Sequence, residues 1–229
     1  MIDLVTPASF DAGVFVFWQT VCSLITPASS GTRFLPSFTM LTAEYLGSKF
    51  DQGLPYDSYV ATGSPDQARA WGAVHARVAL MPAQRELVSS FSRRLNVLVS
   101  SGIWCGDCSA QCPMLDHIAR ANPAAISLRF VDRDAHRDLS DQIKICGGNR
   151  VPTVLFLSED FEFCGLSTDK SLSRLRALAA KSLGASCPLP GAESPADELA
   201  ATLQDWVNDF EKMHLLVRLS PKLRQRHGD

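Results

Sequence analysis

Apolar positions along this chain recur with two periods, and the change between them falls near residue 95. From Phe38 to Phe50, apolar residues at Phe38, Leu41, Tyr45 and Leu46 are spaced by three and four, which predicts a helix. The segment 53–64, GLPYDSYVATGS, is expected to be a loop with aromatics embedded in it. Ser64-Pro65-Asp66 then opens a helix, with Ser64 as N-cap and Pro65 in the first helical position. It is expected to run through Trp71, Val74, His75 and Val78 to about Leu80. Pro82 opens another, reaching about Arg93, with Leu87 and Phe91 on one face.

Beyond residue 95 the runs shorten. Leu95–Val99 is an apolar run suited to a buried strand, followed by a helix at 106–121. Residues 126–131 alternate and predict a strand; 136–145 predict a helix. Thr153–Leu157 is a second buried strand, and Ser158-Glu159-Asp160 is expected to turn tightly into a hairpin partner, Phe161–Cys164. A basic amphipathic helix is expected from Asp169 to Leu183, and a last helix at 196–217 carries Leu199, Leu203, Trp206, Phe210 and Met213. Strands interleaved with helices indicate a mixed α/β sheet. The segments 26–37 and 184–195, rich in Pro, Ser, Gly and Ala, are linkers. The helical stretch 38–84 is amphipathic and so should pack on the sheet or on neighbouring helices.

Composition narrows the classes. With 46 % hydrophobic residues and a net charge of −2, the chain is too apolar and too neutral to be disordered. The charge balance offers no bulk attraction to nucleic acid or an anionic membrane, so neither is an expected partner. The most apolar stretch, 12–25, is shorter than the ~20 residues of a membrane span, contains Gln19, and is preceded by Asp3 and Asp11 without a basic residue. A buried strand or helix is expected there, and the reducing cytoplasm is the expected compartment. Seven cysteines are an odd count in a chain with a real core, which suggests mostly reduced thiols.

Two of those cysteines carry chemistry. Trp104-Cys105-Gly106-Asp107-Cys108 stands where the first strand hands over to a helix. Cysteines at i and i+3 on a first helical turn lie close enough to form a disulfide. Unpaired N–H groups and the helix dipole there should lower the pKa of Cys105 and make it the attacking thiolate, with Cys108 as resolver. A CxxC pair is also half of a zinc site, but zinc needs two more ligands, and there is neither a second CxxC nor an HxxxH. Cys112, with His117 or Cys146, is the remaining route to a metal or iron–sulfur site.

The context of the pair resembles the thioredoxin family over residues 85–183. Trp104 precedes the motif, Pro113 follows five residues after Cys108, Val151-Pro152-Thr153 stands directly before a strand, and Gly165 follows in the hairpin. The resemblance implies a thioredoxin-like fold, a mixed central sheet flanked by helices. To it are added a mostly helical extension at 1–84 and a linker and helix at 184–229. It implies that Val151–Pro152 is cis and faces the CxxC. It also implies that Trp104, Val151, Pro152 and Thr153 contact substrate, the Val151 backbone pairing with an incoming strand. The implied activity is dithiol–disulfide exchange on protein or small disulfide substrates, with a thioredoxin reductase or another dithiol donor as partner and no bound cofactor.

Two departures qualify it. The family's buried acid, six positions before the first cysteine, is Val99 here, and the motif's inner pair is Gly-Asp. Asp107 suits the helix dipole but opposes a neighbouring thiolate. It is a candidate for the proton transfer that the missing acid would perform; the alternative is a solvated cap. Val99 also leaves room for a binding module that captures partners without turnover. Cys112 could form an alternative disulfide or lie buried beside Pro113. Cys146 is expected to be structural, in a Gly-Gly-Asn-Arg turn whose Arg150 could present the loop to acidic partners. Asp132-Arg133-Asp134 is read as an exposed turn, His117 and His136 as packing residues, and the basic residues of 212–226 as a solvated tail. The aromatics of 54–59 could line the site or simply pack.

Overall fold

Four strands form the sheet, in the order β2-β1-β3-β4: β1 is Leu95–Ser101, β2 Ile126–Asp132, β3 Thr153–Leu157 and β4 Phe163–Ser167. β1 runs parallel to β2 and antiparallel to β3, and β3 runs antiparallel to β4. The computed structural model describes residues 41–183 and 197–228, all within the second of the chain's two units, Thr39–Asp229. The expectations for 12–40, both linkers, Cys22 and Cys187 lie mostly or wholly outside the described residues.

Side chains alternate across the strands, so each strand feeds two cores. Leu95, Val97 and Val99 join Phe130, Val154 and Phe156 on one face. That face is covered by α2 (Tyr56–Val60), α3 (Pro65–His75), α4 (Pro82–Ser89), α5 (Gly106–Ala121) and α8 (Glu198–Leu219), through Tyr59, Trp71, Val88, Leu115 and Phe210 among others. Leu98, Val131, Leu155 and Leu157 face the other way, against Leu46 and Phe50 of α1 (Ala43–Gln52), Leu139 of α6 (Arg137–Ser140) and Ile143. α7 (Leu172–Leu183) packs beside α8, and α9 (Pro221–His227) follows it.

Local chemistry sets most element ends. Thr42 caps α1, accepting from the Tyr45 N–H at 3.2 Å. Ser64 and Gln67 form a reciprocal capping box at α3 with Pro65 in its first turn. The spans 106–121 and 153–157 coincide with expectation.

Elsewhere tertiary contacts moved the boundaries. The supposed loop at 53–64 contains α2, because Tyr56 and Tyr59 turn inward together onto Trp71 and Phe130. α3 stops at His75; Val78 and Leu80 still reach the core from non-helical chain. α6 is four residues long, and α7 begins at Leu172 because Asp169 and Lys170 are held outside it. The hairpin partner begins at Phe163, not Phe161. Phe161 takes a left-handed backbone (φ 60) and inserts its ring against Phe50, while Ser158 Oγ accepts N–H groups from Asp160 and Glu162 to build a wider turn. The basic tail folds into α9 and pairs with that turn, Arg226 with Asp160 at 2.7 Å and Lys222 with Glu162 at 3.0 Å.

Candidate active site

β1 ends at Ser101, and Gly102-Ile103-Trp104 turns the chain into α5, with Cys105 at the N-cap in an extended conformation. Gly102 permits this turn: a Cβ there would lie 2.8 Å from the Trp104 ring. Cys105 is half-buried, while Cys108 and Cys112 are fully buried; all three are free thiols. The Cys105 thiol donates to the Val151 carbonyl at 3.6 Å. The Val151–Pro152 bond is cis. Thr153 opens β3 and anchors the loop, its hydroxyl donating to the Arg150 carbonyl at 2.8 Å. Cys105, Cys108, Val151, Pro152 and Thr153 are thus gathered in one place, with Trp104 at the rim, about half exposed.

The electrostatics correct one expectation. The hydrogen-bonding contact with Cys108 pushes the Cys105 thiol above the ordinary cysteine value, and burial adds to it. The backbone N–H groups of Cys108 and Asp107 pull the other way without prevailing. The helix N-terminus favours a thiolate at Cys105, but the neighbouring Cys108 sulfur opposes it more strongly. Burial likewise pushes Cys108 up.

Asp107, in the first turn of α5, does not stand alone. Its carboxylate accepts from Arg174 at 2.7 Å and Lys170 at 3.1 Å, so two cations balance its charge. Lys170 also binds Asp169 at 2.7 Å, and Arg150, beside the cis-proline loop, reaches Asp169 at 3.6 Å. A chain of alternating charges therefore runs from the first turn of α5 to the residue before Val151. Sequence reasoning missed it; the signal was the four-residue spacing of Lys170 and Arg174.

Arg133 was also missed. Its guanidinium sits 4.7 Å from the centre of the Trp104 ring and donates to the Asn149 carbonyl at 3.3 Å. It joins the end of β2 to both rims of the site. Asp132 is a turn residue as expected, its carboxylate accepting the N–H groups of Asp134 and Ala135.

Other candidates fall elsewhere. Val99 is fully buried and apolar. Tyr56 and Tyr59 are buried beneath the site, packed with Trp71 and Phe130. His117 donates to the His75 carbonyl at 3.0 Å, and His136 lies against Lys49. Cys146 is exposed in a turn closed by Ile145 and Gly148, with positive φ at Cys146 and Gly147. Burial pushes Cys164 up to about 11. Among the described residues no group of three or more His, Cys, Asp or Glu is placed to hold a metal ion, and no helix is long and apolar enough to cross a membrane.

Comparison with known proteins agrees with this architecture. A family model described as thioredoxin matches residues 53–166, a stretch that takes in α2–α4 as well as the sheet. No curated protein matches the sequence. A Pseudomonas aeruginosa protein of unknown function, known from its crystal structure, is 24% identical with a TM-score of 0.53; the match covers 71% of this chain and 97% of that one. An HIV epitope-scaffold is 21% identical with a TM-score of 0.52, covering 76% of this chain and 98% of that one. Mitochondrial thioredoxin 3 of Saccharomyces cerevisiae, in its oxidized form, aligns at 19% identity and a TM-score of 0.28, over 42% of this chain and 89% of its own. The four-stranded mixed sheet flanked by helices is a thioredoxin-like α/β fold, and the family match over 53–166 supports a thioredoxin-like family for this chain.

Proposed function

We propose that this chain is a thiol–disulfide oxidoreductase acting on protein or small disulfide substrates through Cys105 and Cys108. One observation carries the reading: a half-exposed Cys105 thiol lies between the fully buried Cys108 and the carbonyl before a cis-proline. Cys105 attacks through its thiolate form, which the Cys108 contact and burial make scarce and the N–H groups of Asp107 and Cys108 partly restore. It forms a bond to one substrate sulfur and expels the other as a thiolate. Cys108 then attacks the Cys105 sulfur, forming the Cys105–Cys108 disulfide and releasing the second substrate thiol. A two-electron dithiol donor, a thioredoxin reductase or another dithiol, restores the pair. Trp104, Val151, Pro152 and Thr153 form the docking rim, with the Val151 backbone pairing an incoming substrate strand. The reductive direction follows from the reducing cytoplasm expected for the chain.

Reduction of insulin disulfides with a dithiol donor tests this. Wild type should turn over, Cys105→Ser should be inactive, and Cys108→Ser should accumulate a mixed disulfide with substrate. Absence of turnover in the wild type would favour a binding module that captures partners without exchange. We assign proton transfer to Asp107, in the first turn of α5, whose carboxylate Lys170 and Arg174 hold. Asp107→Asn should then alter the pH dependence of Cys105 alkylation; an unchanged profile would remove Asp107 from the mechanism.

A further inference from the structure

The turn from β1 into α5 and the loop that ends at the cis-proline are far apart in sequence, yet one side chain contacts both. Arg133 directly follows β2, and its backbone N–H donates to the Ser101 carbonyl at 2.8 Å, so the sheet fixes where the side chain starts. From there the guanidinium reaches the Trp104 ring, 4.7 Å from its centre. Its Nη1 donates to the Asn149 carbonyl at 3.3 Å. Asn149 stands two residues before Val151, and its own amide donates to Asp141 at 3.1 Å.

We propose that Arg133 is a positioning residue that sets the geometry of the docking rim, tying Trp104 to the loop that carries Val151 and Pro152. The proposal rests on the exchange reading above, in which Trp104 and the Val151 backbone receive the substrate.

An arginine at such a rim has two possible uses, to bind an acidic substrate or to hold the rim itself. The contacts of Arg133 decide between them. A guanidinium has five donors in a fixed plane and two faces. Nε and Nη2 donate to the Asp134 carboxylate at 3.1 and 3.0 Å, and Nη1 serves Asn149. The guanidinium also packs on Trp104, and the side chain is 24 % exposed. Asp134 balances the charge, and the bonding edges are turned to the protein, so little is left for a substrate carboxylate. What remains is the hold on Trp104. That residue is about half exposed, and its ring is steadied by the Gly102 backbone on which it packs and by Arg133. A ring and a loop held before substrate arrives need not be ordered by the substrate, and this favours binding without touching the reacting sulfurs.

The test measures turnover by the full chain with dithiothreitol as donor, read as oxidised dithiothreitol, on two disulfides. Insulin presents a chain to the rim; bis(hydroxyethyl) disulfide is too small to span it. Arg133→Met should raise KM for insulin about fivefold or more with kcat within about twofold, and raise KM for the small disulfide by less than about twofold. Arg133→Lys keeps the charge but has no planar fork to span ring and carbonyl. It should behave as Arg133→Met does, and it carries the test should Arg133→Met not fold. Because the tie is already cut in Trp104→Leu, the loss in kcat/KM for insulin in the double variant should fall short of the product of the two single losses. An unmoved insulin KM, an equal rise for both disulfides, full function in Arg133→Lys, or losses that simply multiply would each overturn the proposal. Absence of turnover by the wild type on both disulfides would overturn the exchange reading itself, and this proposal with it.

Discussion

His214 lies flat against Phe91, ring centroids 4.3 Å apart, and is 7 % exposed. Burial lowers its pKa, and the charges of Arg218 and Arg93 lower it further. Burial lowers His117 and His136 in the same way. Each binds its proton less readily in the folded chain than in the unfolded one, so stability rises with pH between the lowered value and the ordinary one of about 6.5. Urea unfolding should therefore show stability falling as pH drops from 7 towards 5. His214→Gln should make that slope shallower; an unchanged slope would mean that His214 is not a source of it. The chemistry at this scale was partly legible in sequence. Cys105 and Cys108 could be picked out because their spacing brings them together, and Trp104 and Pro152 because the motifs that hold them resemble the thioredoxin family. Arg133 could not, because its partners Trp104 and Asn149 are distant in sequence, and the direction at Cys105 depended on a thiol–thiol contact that spacing does not weigh.

α8 covers the sheet where β3 meets β4. Phe210 meets Phe156 edge-on with centroids 5.2 Å apart, and the end of Met213 occupies the space above Gly165, where a Cβ would lie 2.7 Å away. Gly165 thus lets a helix far along the chain approach β4. Phe210 is fully buried, so Phe210→Ala should cost about 3–5 kcal/mol, measured by denaturant unfolding. A cost below about 1 kcal/mol would mean that α8 is not part of the core. The apolar pattern of α8 was readable from Leu203, Trp206, Phe210 and Met213; its target was not, because periodicity identifies a buried face and not the surface that buries it. For the same reason α2 was missed: a five-residue helix carries too little pattern, and inward packing of Tyr56 and Tyr59 stabilises it instead.

The elements outside the sheet are fastened to it by charge as well as by packing. Asp116, buried on α5, accepts from Arg120 at 2.6 Å and contacts His75 of α3 at 2.8 Å, while Arg120 also holds Asp57 of α2. Arg93, before β1, pairs with Glu159 after β3 with little exposure on either side. Removing one partner of such a pair strands the other charge, which makes these contacts costly to break singly. The same helices close the inner side of the cysteine pair, leaving Cys108 with no exposed surface and Cys105 as the more exposed of the two. On the proposed chemistry, every electron pair then enters and leaves by one doorway. The disulfide to be reduced and the dithiol that recharges the protein cannot be served side by side; they must queue at Cys105. Steady-state rates measured against both should give parallel double-reciprocal lines, and an excess of either reactant should hold the other out.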